Sequence, residues 1–433
     1  MTRNHPPSPS PRTRRTAAHD GNQGRESHLP QPSQLAPRIG NVPFVRVALV
    51  HDWLTGMRGG EKCLEVLCEA FPEATIHTLI YREGSLSPAI EAMTIKTSPL
   101  QRIPGVFRLY RHLLPIMPLA VRALAIKDVD LVVSLSHCVA KAVAPPAGVP
   151  HVCYCFTPMR YAWQGREAYL DGWRKRPVRR AAARFVLDLL RRWDRATAKR
   201  VSHFVAISRT IQERIAACYG RESRVIEPPV DVDFYTPAAV ERGEAYLVVG
   251  ALVPYKKVDQ AVEACKRLGR PLVVIGAGPE RERLEALAGP RARFLGWQPD
   301  EVIRDHYRTC RALLFPGEED FGIVPIEALA CGAPVIALGR GGVAETVDDQ
   351  VGRLYSEARS EGLARALEGW ERDGRPHDPG LARRRAEALS RSVFRERLLA
   401  YLAEVLAPGG DRAPAPRPHV GLTGGRAREA RSV

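Results

Sequence analysis

At 433 residues the chain is longer than a single hydrophobic core usually extends, so two domains are expected. Its composition, 45% hydrophobic and 26% charged, is typical of a water-soluble globular protein, and no run of about 18 apolar residues is present to span a membrane. The net charge of +16 is concentrated near the two ends and in residues 171–200, where eleven Lys and Arg accompany three acidic residues. Because the remainder is nearly neutral, a general nucleic-acid-binding protein is disfavoured and no nucleic-acid partner is expected.

The two ends of the chain differ in composition from the rest. Residues 1–40 are rich in Pro, Ser and Arg, and residues 408–433 are similar. Neither segment can bury enough apolar surface to fold, so both are predicted to be disordered. The N-terminus lacks the apolar segment of a signal peptide, and nine cysteines without a C-x-x-C pair favour reduced thiols. We therefore expect a cytoplasmic protein.

Between these ends, short apolar runs alternate with helical patterns, as in stacked βαβ units. In the first half, strands are predicted at 45–50, 74–80, 129–136, 149–156 and 202–208. In the second half, they are predicted at 245–250, 270–278, 292–297, 311–317 and 333–338. The pattern predicts an α/β protein with two Rossmann-like, doubly wound parallel sheets, an N-terminal domain at 41–230 and a C-terminal domain at 231–407.

The most specific stretch is EEDFGIVPIEALACGAPVIA (318–337), which follows a predicted strand. A helix is expected to begin at Pro325, and Gly322 before it permits close approach of a ligand. The free N–H groups and the positive end of the helix suit a phosphate. Glu327 in the first turn could bond a ribose diol, and Glu319 on the loop could hold a sugar hydroxyl. The plainer alternative is an ordinary helix start in which Glu327 complements the helix dipole.

The stretch EDFGIVPIE (319–327) resembles the E-x7-E signature of the retaining family-4 glycosyltransferases of GT-B fold. Further segments similar to that family lie at 226–237, 248–259, 274–289 and 315–347. In the first half, HDWLTGMRGGEK (51–62), SLSH (134–137) and CYCFTPMRYAW (153–163) resemble more closely the bacterial O-antigen and exopolysaccharide mannosyltransferases. The resemblance implies that a nucleotide sugar lies on the C-terminal domain and that the acceptor approaches from the N-terminal domain.

On the donor side, the resemblance assigns Glu319 to the hexose and Glu327 to the ribose. It assigns the sugar and the phosphate to the backbone of Phe321, Gly322, Ile323 and Val324. Lys256 corresponds to the lysine that neutralises the diphosphate, with Lys257 as the alternative, because the departing diphosphate needs a cation. The chain departs from the family at Ala251, where an arginine usually follows the strand glycine.

On the other side of the expected cleft, the resemblance places Gly59 and Gly60 near the donor phosphate and the acceptor. It places His137 near the reacting carbon, and Arg160 and Tyr161 are candidates for the acceptor side. The glycines and His137 have plain alternatives, since a glycine-rich turn also serves helix–strand packing and a single histidine is often structural.

No metal is expected at the site. The two D-x-D stretches, at 128–130 and 231–233, are interpreted as structural, because one precedes a buried strand and the other lies in a proline-rich linker. Retention is then attributed, through the resemblance, to front-face attack in which the leaving diphosphate helps to take the acceptor proton.

The basic segment 172–200 carries interleaved Trp and Leu and is predicted to dock on an anionic membrane surface, the alternative being a solvated helix face. The function expected is transfer of mannose from GDP-mannose to a polyprenyl-diphosphate-linked glycan by an enzyme peripheral to the inner face of the cell membrane. Two alternatives stay open, the same fold using UDP-glucose or another nucleotide sugar, and a non-catalytic homologue acting as a scaffold.

Overall fold

The two predicted parallel sheets are confirmed. The structure, a computed structural model, describes residues 45–171 and 176–407, so the ends predicted to be disordered at 1–40 and 408–433 lie outside the described residues. The strands of the first sheet are β1 Val47–His51, β2 Thr75–Thr78, β3 Thr94–Thr97, β4 Leu131–Ser136, β5 His151–Cys155, β6 His203–Ala206 and β7 Ser223–Val225. Those of the second are β8 Tyr246–Val249, β9 Leu272–Ile275, β10 Ala292–Gly296, β11 Leu313–Phe315, β12 Val335–Leu338 and β13 Gly352–Tyr355.

The helices connect these strands and cover both sheets. In the first half they are α1 Gly59–Ala70, α2 Pro88–Glu91, α3 Val106–Leu109, α4 Met117–Arg122, α5 Arg166–Asp171, α6 Pro177–Ala198 and α7 Arg209–Tyr219. In the second half they are α8 Val258–Arg267, α9 Arg281–Leu287, α10 Asp300–Thr309, α11 Ile323–Ala330, α12 Ser360–Arg372, α13 Pro379–Glu387 and α14 Arg391–Leu406. None of the described helices is both long enough and apolar enough to cross a membrane.

Both sheets reverse their strand order at one point. The first has the order β3-β2-β1-β4-β5-β6-β7 and the second the order β10-β9-β8-β11-β12-β13, with neighbouring strands parallel. The order switches between β1 and β4 in one sheet and between β8 and β11 in the other. In doubly wound folds, ligands bind at such a switch point, in the crevice outside the carboxyl ends of the strands.

The central strands are buried on both faces, as their unbroken apolar runs indicate. Every residue of β1 and β4 is buried, and helices pack on both sides of them. Three edge or near-edge strands, β3, β7 and β13, were not predicted from the sequence. The threonine-rich β3 is largely exposed and β7 is only three residues long, so neither carries the apolar run of a central strand.

The last helix returns to the first sheet. Arg391, the first residue of α14, forms ion pairs with Glu65 at 2.6 Å and Glu69 at 2.7 Å, both on α1. Further along α14, the ring of Phe394 meets that of Tyr154 on β5 edge-on, with centroids 5.6 Å apart. The segment expected as the C-terminal domain, 231–407, thus ends on a helix whose packing partners lie at 41–230.

Candidate active site

The switch point of the first sheet is organised around Asp52, which follows β1 directly. Its side chain is fully buried and accepts four backbone N–H groups, those of His137 at 2.7 Å, Cys138 at 2.9 Å, Val139 at 2.6 Å and Ala140 at 2.7 Å. These residues follow β4 and run into the 3-10 helix Ala140–Ala142. Because a buried carboxylate with this many donors is fixed in place, Asp52 ties the ends of β1 and β4 together.

The side chain of His137 contacts the same carboxylate. Its Nδ1 lies 3.1 Å from Oδ2 of Asp52, and its ring meets that of Trp53 edge-on at 4.4 Å. Burial lowers the pKa of His137 and outweighs the opposing effect of Asp52. The lowered pKa favours the neutral ring, and because Nδ1 is directed to Asp52, Nε2 is the nitrogen left to meet a ligand.

The two predicted glycines stand where a side chain would obstruct the cleft. A Cβ on Gly59 would lie 2.6 Å from Cδ1 of Ile323, the first residue of α11 in the second half. A Cβ on Gly60 would lie 3.2 Å from the Phe156 ring and 3.4 Å from Nε2 of His51. The start of α1 thus faces the start of α11 through Gly59 and Ile323, while Gly60 faces Phe156 and His51.

Helix α11 begins two residues earlier than expected, at Ile323 instead of Pro325. Gly322 precedes it in a left-handed conformation with φ +94°, which disfavours any residue with a Cβ. Glu327 is therefore the fifth helical residue and lies in the second turn, so the expectation of a first-turn position was wrong. Proline is tolerated anywhere in the first turn, which is why Pro325 did not fix the start.

Two glycines, Gly341 and Gly342, hold the loop before α11, and neither was predicted to have a role. The backbone N–H of Gly342 donates to the carbonyl of Glu319 at 2.9 Å, and Gly341 forms a parallel bridge with Glu319. A Cβ on Gly342 would collide with the backbone of Phe321. Phe321 itself is buried, whereas Val324 stays partly exposed at the start of α11. The carboxylate of Glu319 is thereby presented on a loop whose backbone has little freedom.

Lys256, and not Lys257, reaches that loop. The ammonium of Lys256 is hydrogen-bonded to Oε1 of Glu319, and it lies over the rings of Tyr255 and Phe315 at 5.9 Å each. Lys257 is exposed and caps α8 in a left-handed conformation with φ 53°. The turn at 254–257 therefore brings Lys256 to Glu319 and leaves Lys257 at the start of α8.

Glu327 is buried, with 6% of its surface exposed, and is held by two partners. Oε2 accepts from the hydroxyl of Tyr307 at 3.2 Å, and Oε1 lies 3.4 Å from the ammonium of Lys62 on α1. Burial raises the pKa of Glu327, while Lys62 and Tyr307 oppose that rise. Lys62 thus brings a cation of the first domain to the candidate ribose ligand.

Arg160 joins the two domains as well. Its Nη2 lies 2.5 Å from Oδ2 of Asp320, the residue between Glu319 and Phe321. Arg214, on α7, is bonded to the other oxygen of Asp320 and pairs with Glu318 at 3.0 Å. Tyr161, in contrast, is partly buried against the apolar cluster that contains Tyr110 and Cys138. The two residues proposed together for the acceptor side therefore have different surroundings.

Sequence reasoning did not single out Asp52 or Lys62. Both lie within HDWLTGMRGGEK, so the motif was recognised but these two side chains were not given roles. The position of Asp52 immediately after a central strand was a usable signal, because the carboxyl edge of the sheet is where ligands bind. The described residues contain no group of three or more His, Cys, Asp or Glu arranged to hold a metal ion.

Comparisons with known proteins agree with this architecture. Residues 57–234 match the family described as Glycosyltransferase Family 4, and residues 235–388 match the family described as Glycosyl transferases group 1. The D-inositol 3-phosphate glycosyltransferase of Mycobacteroides abscessus is 36% identical over 166 residues, covering 33% of this chain and 38% of that protein. The protein of the same name from Acidothermus cellulolyticus is 28% identical over 351 residues, covering 71% and 72%. The alignment with the Mycobacteroides abscessus protein thus spans about two fifths of that relative's length.

Solved structures show the same fold at low identity. Anabaena HepE, solved in complex with UDP and glucose, superposes with a TM-score of 0.60 at 18% identity and covers 83% of this chain and 100% of its own. The sucrose-phosphate synthase of Thermosynechococcus elongatus gives 0.62 at 18% identity, covering 84% and 99%. With a family-4 domain followed by a group-1 domain on two doubly wound sheets, this chain has the domains and the fold of a GT-B glycosyltransferase.

Proposed function

We propose that this chain transfers a hexose from a nucleotide sugar to an acceptor hydroxyl with retention of the anomeric configuration. The observation that supports the proposal is that the helix after β1 contacts the helix after β11, so the switch points of the two sheets lie next to each other. Lys62 of α1 reaches Glu327 of α11, and Gly59 abuts Ile323, so the start of each helix lies at one shared cleft. Two helix starts, with the positive ends of their dipoles, and a nearby lysine suit the phosphates of such a donor.

Within this cleft, each residue receives a distinct role. Glu327 binds the ribose hydroxyls, Lys256 neutralises the diphosphate, Glu319 holds the hexose, and His137 meets the sugar near its reacting carbon. When the bond between the anomeric carbon and the phosphate oxygen breaks, its electron pair stays with the diphosphate. The acceptor oxygen bonds to the same face of that carbon, and its proton passes to the diphosphate. Lys256 stabilises the charge that develops on the leaving group.

Two glutamate substitutions test the donor site. Glu327→Ala is expected to weaken binding of the nucleotide and of the nucleotide sugar alike, because it removes the ribose contact. Glu319→Ala is expected to reduce turnover chiefly, because its partner is the sugar. Glu318→Ala is the matched control, since that neighbouring carboxylate is exposed and pairs with Arg214. Calorimetric titration and donor hydrolysis on the same samples measure both effects, and wild-type behaviour of both variants would refute the site.

We further propose mannose as the sugar and GDP-mannose as the donor, on the resemblance of residues 51–62 and 153–163 to bacterial mannosyltransferases. A second candidate is UDP-glucose, which the complex of the GT-B neighbour HepE with UDP and glucose favours. A panel of nucleotide sugars, scored by thermal stabilisation and slow hydrolysis, separates the two. Stabilisation without hydrolysis or transfer would favour the non-catalytic scaffold instead.

For the acceptor, we propose a polyprenyl-diphosphate-linked glycan at an anionic membrane surface, on the cytoplasmic side. Support comes from the exposed face of α6, where Val178, Phe185 and Leu189 recur at helical spacing and are 82%, 64% and 47% exposed. Arg192 continues that face and is exposed. Apolar side chains flanked by basic ones are the composition that lies on anionic lipid. The relatives acting on D-inositol 3-phosphate make that compound the alternative acceptor to test.

The structure also refines which arginines should be replaced. Arg180 lies 3.9 Å from Glu167 and 3.8 Å from Asp171, and Arg191 stacks over Trp163 at 4.3 Å, so both have partners within the protein. Replacing the exposed Arg179 and Arg192 with Gln is therefore expected to reduce sedimentation with anionic liposomes and activity on a lipid-linked acceptor. Donor hydrolysis should change little. High salt should release the wild-type protein, because the Debye length is only about 8 Å at physiological ionic strength. Unchanged sedimentation would leave α6 a solvated helix face.

A further inference from the structure

The diphosphate site proposed for the second domain has Lys256 as its proposed cation and no arginine at position 251. Ala251, in the exposed loop after β8, stands where an arginine was expected, and Lys256 is already engaged by Glu319. Lys257 caps α8 and is exposed. A departing diphosphate carries more negative charge than one lysine offsets, so a second positive side chain beside Lys256 would stabilise it further.

Arg160 is positioned to be that group. Its guanidinium lies over the ring of Tyr255 at 5.4 Å from the centroid, and Tyr255 is the immediate neighbour of Lys256. On its other side it bonds Asp320, the immediate neighbour of Glu319. Arg160 therefore contacts the sequence neighbours of both Lys256 and Glu319, although it belongs to the loop after β5 in the first domain.

The electrostatics of the surroundings are consistent with this position. Burial opposes the charge of Arg160, but Asp320 and Glu319 outweigh it and raise the pKa of the guanidinium. The same charge contributes to lowering the pKa of His137. One arginine of the first domain thus acts on Glu319 and on His137, the groups proposed to hold the sugar on its two sides.

The guanidinium of Arg160 has further N–H donors that can bind a ligand. A guanidinium offers five N–H groups, and the ion pair with Asp320 is made by Nη2. The side chain is 42% exposed, and Asp320 is bonded to Arg214 as well, so the carboxylate stays compensated if Arg160 turns to another anion. Its backbone is fixed, since the carbonyl of Arg160 accepts the N–H of Gly165 at 2.8 Å.

We propose that Arg160 supplies the second cation of the diphosphate clamp, across the cleft from the position where this chain has Ala251. This inference rests on the proposed function, because its ligand is the diphosphate of a nucleotide sugar. It also changes the role given to Arg160 from the sequence, from the acceptor side to the donor. A clamp with one cation from each domain binds its diphosphate only when both domains face it.

Binding of nucleotides to the full chain tests the assignment. GDP and UDP are compared with GMP and UMP, since only the diphosphates span the clamp. Arg160→Gln is expected to weaken diphosphate binding about 10- to 100-fold and monophosphate binding much less, because a hydrogen-bonded charge is lost at the outer phosphate. Arg160→Lys, which keeps the charge, should lie between wild type and Arg160→Gln.

Rescue and a matched control complete the experiment. Adding Ala251→Arg to Arg160→Gln should restore most of the lost diphosphate affinity, because it returns the missing cation from the other side. Arg214→Gln is the control, since it loses the same partner, Asp320, without lying beside Tyr255; its diphosphate affinity should stay within about 3-fold of wild type.

Two results would overturn the inference. One is an equal loss for diphosphates and monophosphates in Arg160→Gln, and the other is an equal loss in Arg214→Gln, since either would make the Asp320 pairs a simple tie between loops. If wild-type protein binds neither GDP nor UDP, the proposed function itself fails.

Discussion

Replacing Asp52 by asparagine tests how the first switch point is held. Oδ2 accepts the N–H groups of His137 and Cys138, and Oδ1 accepts those of Val139 and Ala140. Asparagine keeps one oxygen and turns an NH2 group toward the other two donors. Two buried N–H groups then lose their acceptor, at about 1–3 kcal/mol each, so the free energy of unfolding should fall by about 2–6 kcal/mol.

Thermal unfolding measures the loss. In a domain of this size 1 kcal/mol corresponds to about 2–4 °C, so the first transition should move down by at least about 4 °C. Asp130→Asn is the matched control. That carboxylate also accepts a backbone N–H, from Arg46 at 2.9 Å, but it is 41% exposed. Because water can replace the lost hydrogen bond, the free energy of unfolding should fall by less than about 1 kcal/mol. Equal shifts in the two variants would refute the assignment of Asp52 as the tie between β1 and β4.

Three further results are expected. Glu61 is buried at the start of α1, and burial raises its pKa from 4.5 to about 7, so the folded chain binds this proton more tightly than the unfolded chain does. The stabilisation from the bound proton is complete below pH 4.5 and is lost as the pH rises through 7. Glu61→Gln should remove this pH dependence, measured as urea unfolding at about pH 5 and about pH 8. Gly59→Ala should cost about 1 kcal/mol or less, because the new methyl group would meet only the terminal Cδ1 of Ile323, and adding Ile323→Val should recover that cost. A larger loss of stability that Ile323→Val does not relieve would contradict the contact. Donor hydrolysis should survive EDTA, because Lys256 and the helix starts are proposed to hold the phosphates, and complete loss restored by magnesium would contradict this.

Much of the fold was predictable because local pattern and tertiary environment coincide in the central strands. Residues buried on both faces of a parallel sheet must be apolar throughout, so the ten predicted strands stand out as continuous runs. The strands β3, β7 and β13 were missed for the opposite reason. An edge strand is stabilised by one neighbour and can be short and polar, as the TIKT of β3 shows. Its pairing with β2 depends on contacts that no local window contains.

The site divides in the same way. The sequence by itself supplied the candidate residues, since Glu319, Lys256 and His137 follow strands and Glu327 belongs to the recognisable motif at 319–327. Only the tertiary structure decided the partners. Residues 265 positions apart meet in the Lys62–Glu327 pair, and residues 160 positions apart meet in the Arg160–Asp320 pair. Ion pairs of this kind form when two independently wound sheets face each other, so their geometry belongs to the packing of the domains and leaves no periodic trace in the chain.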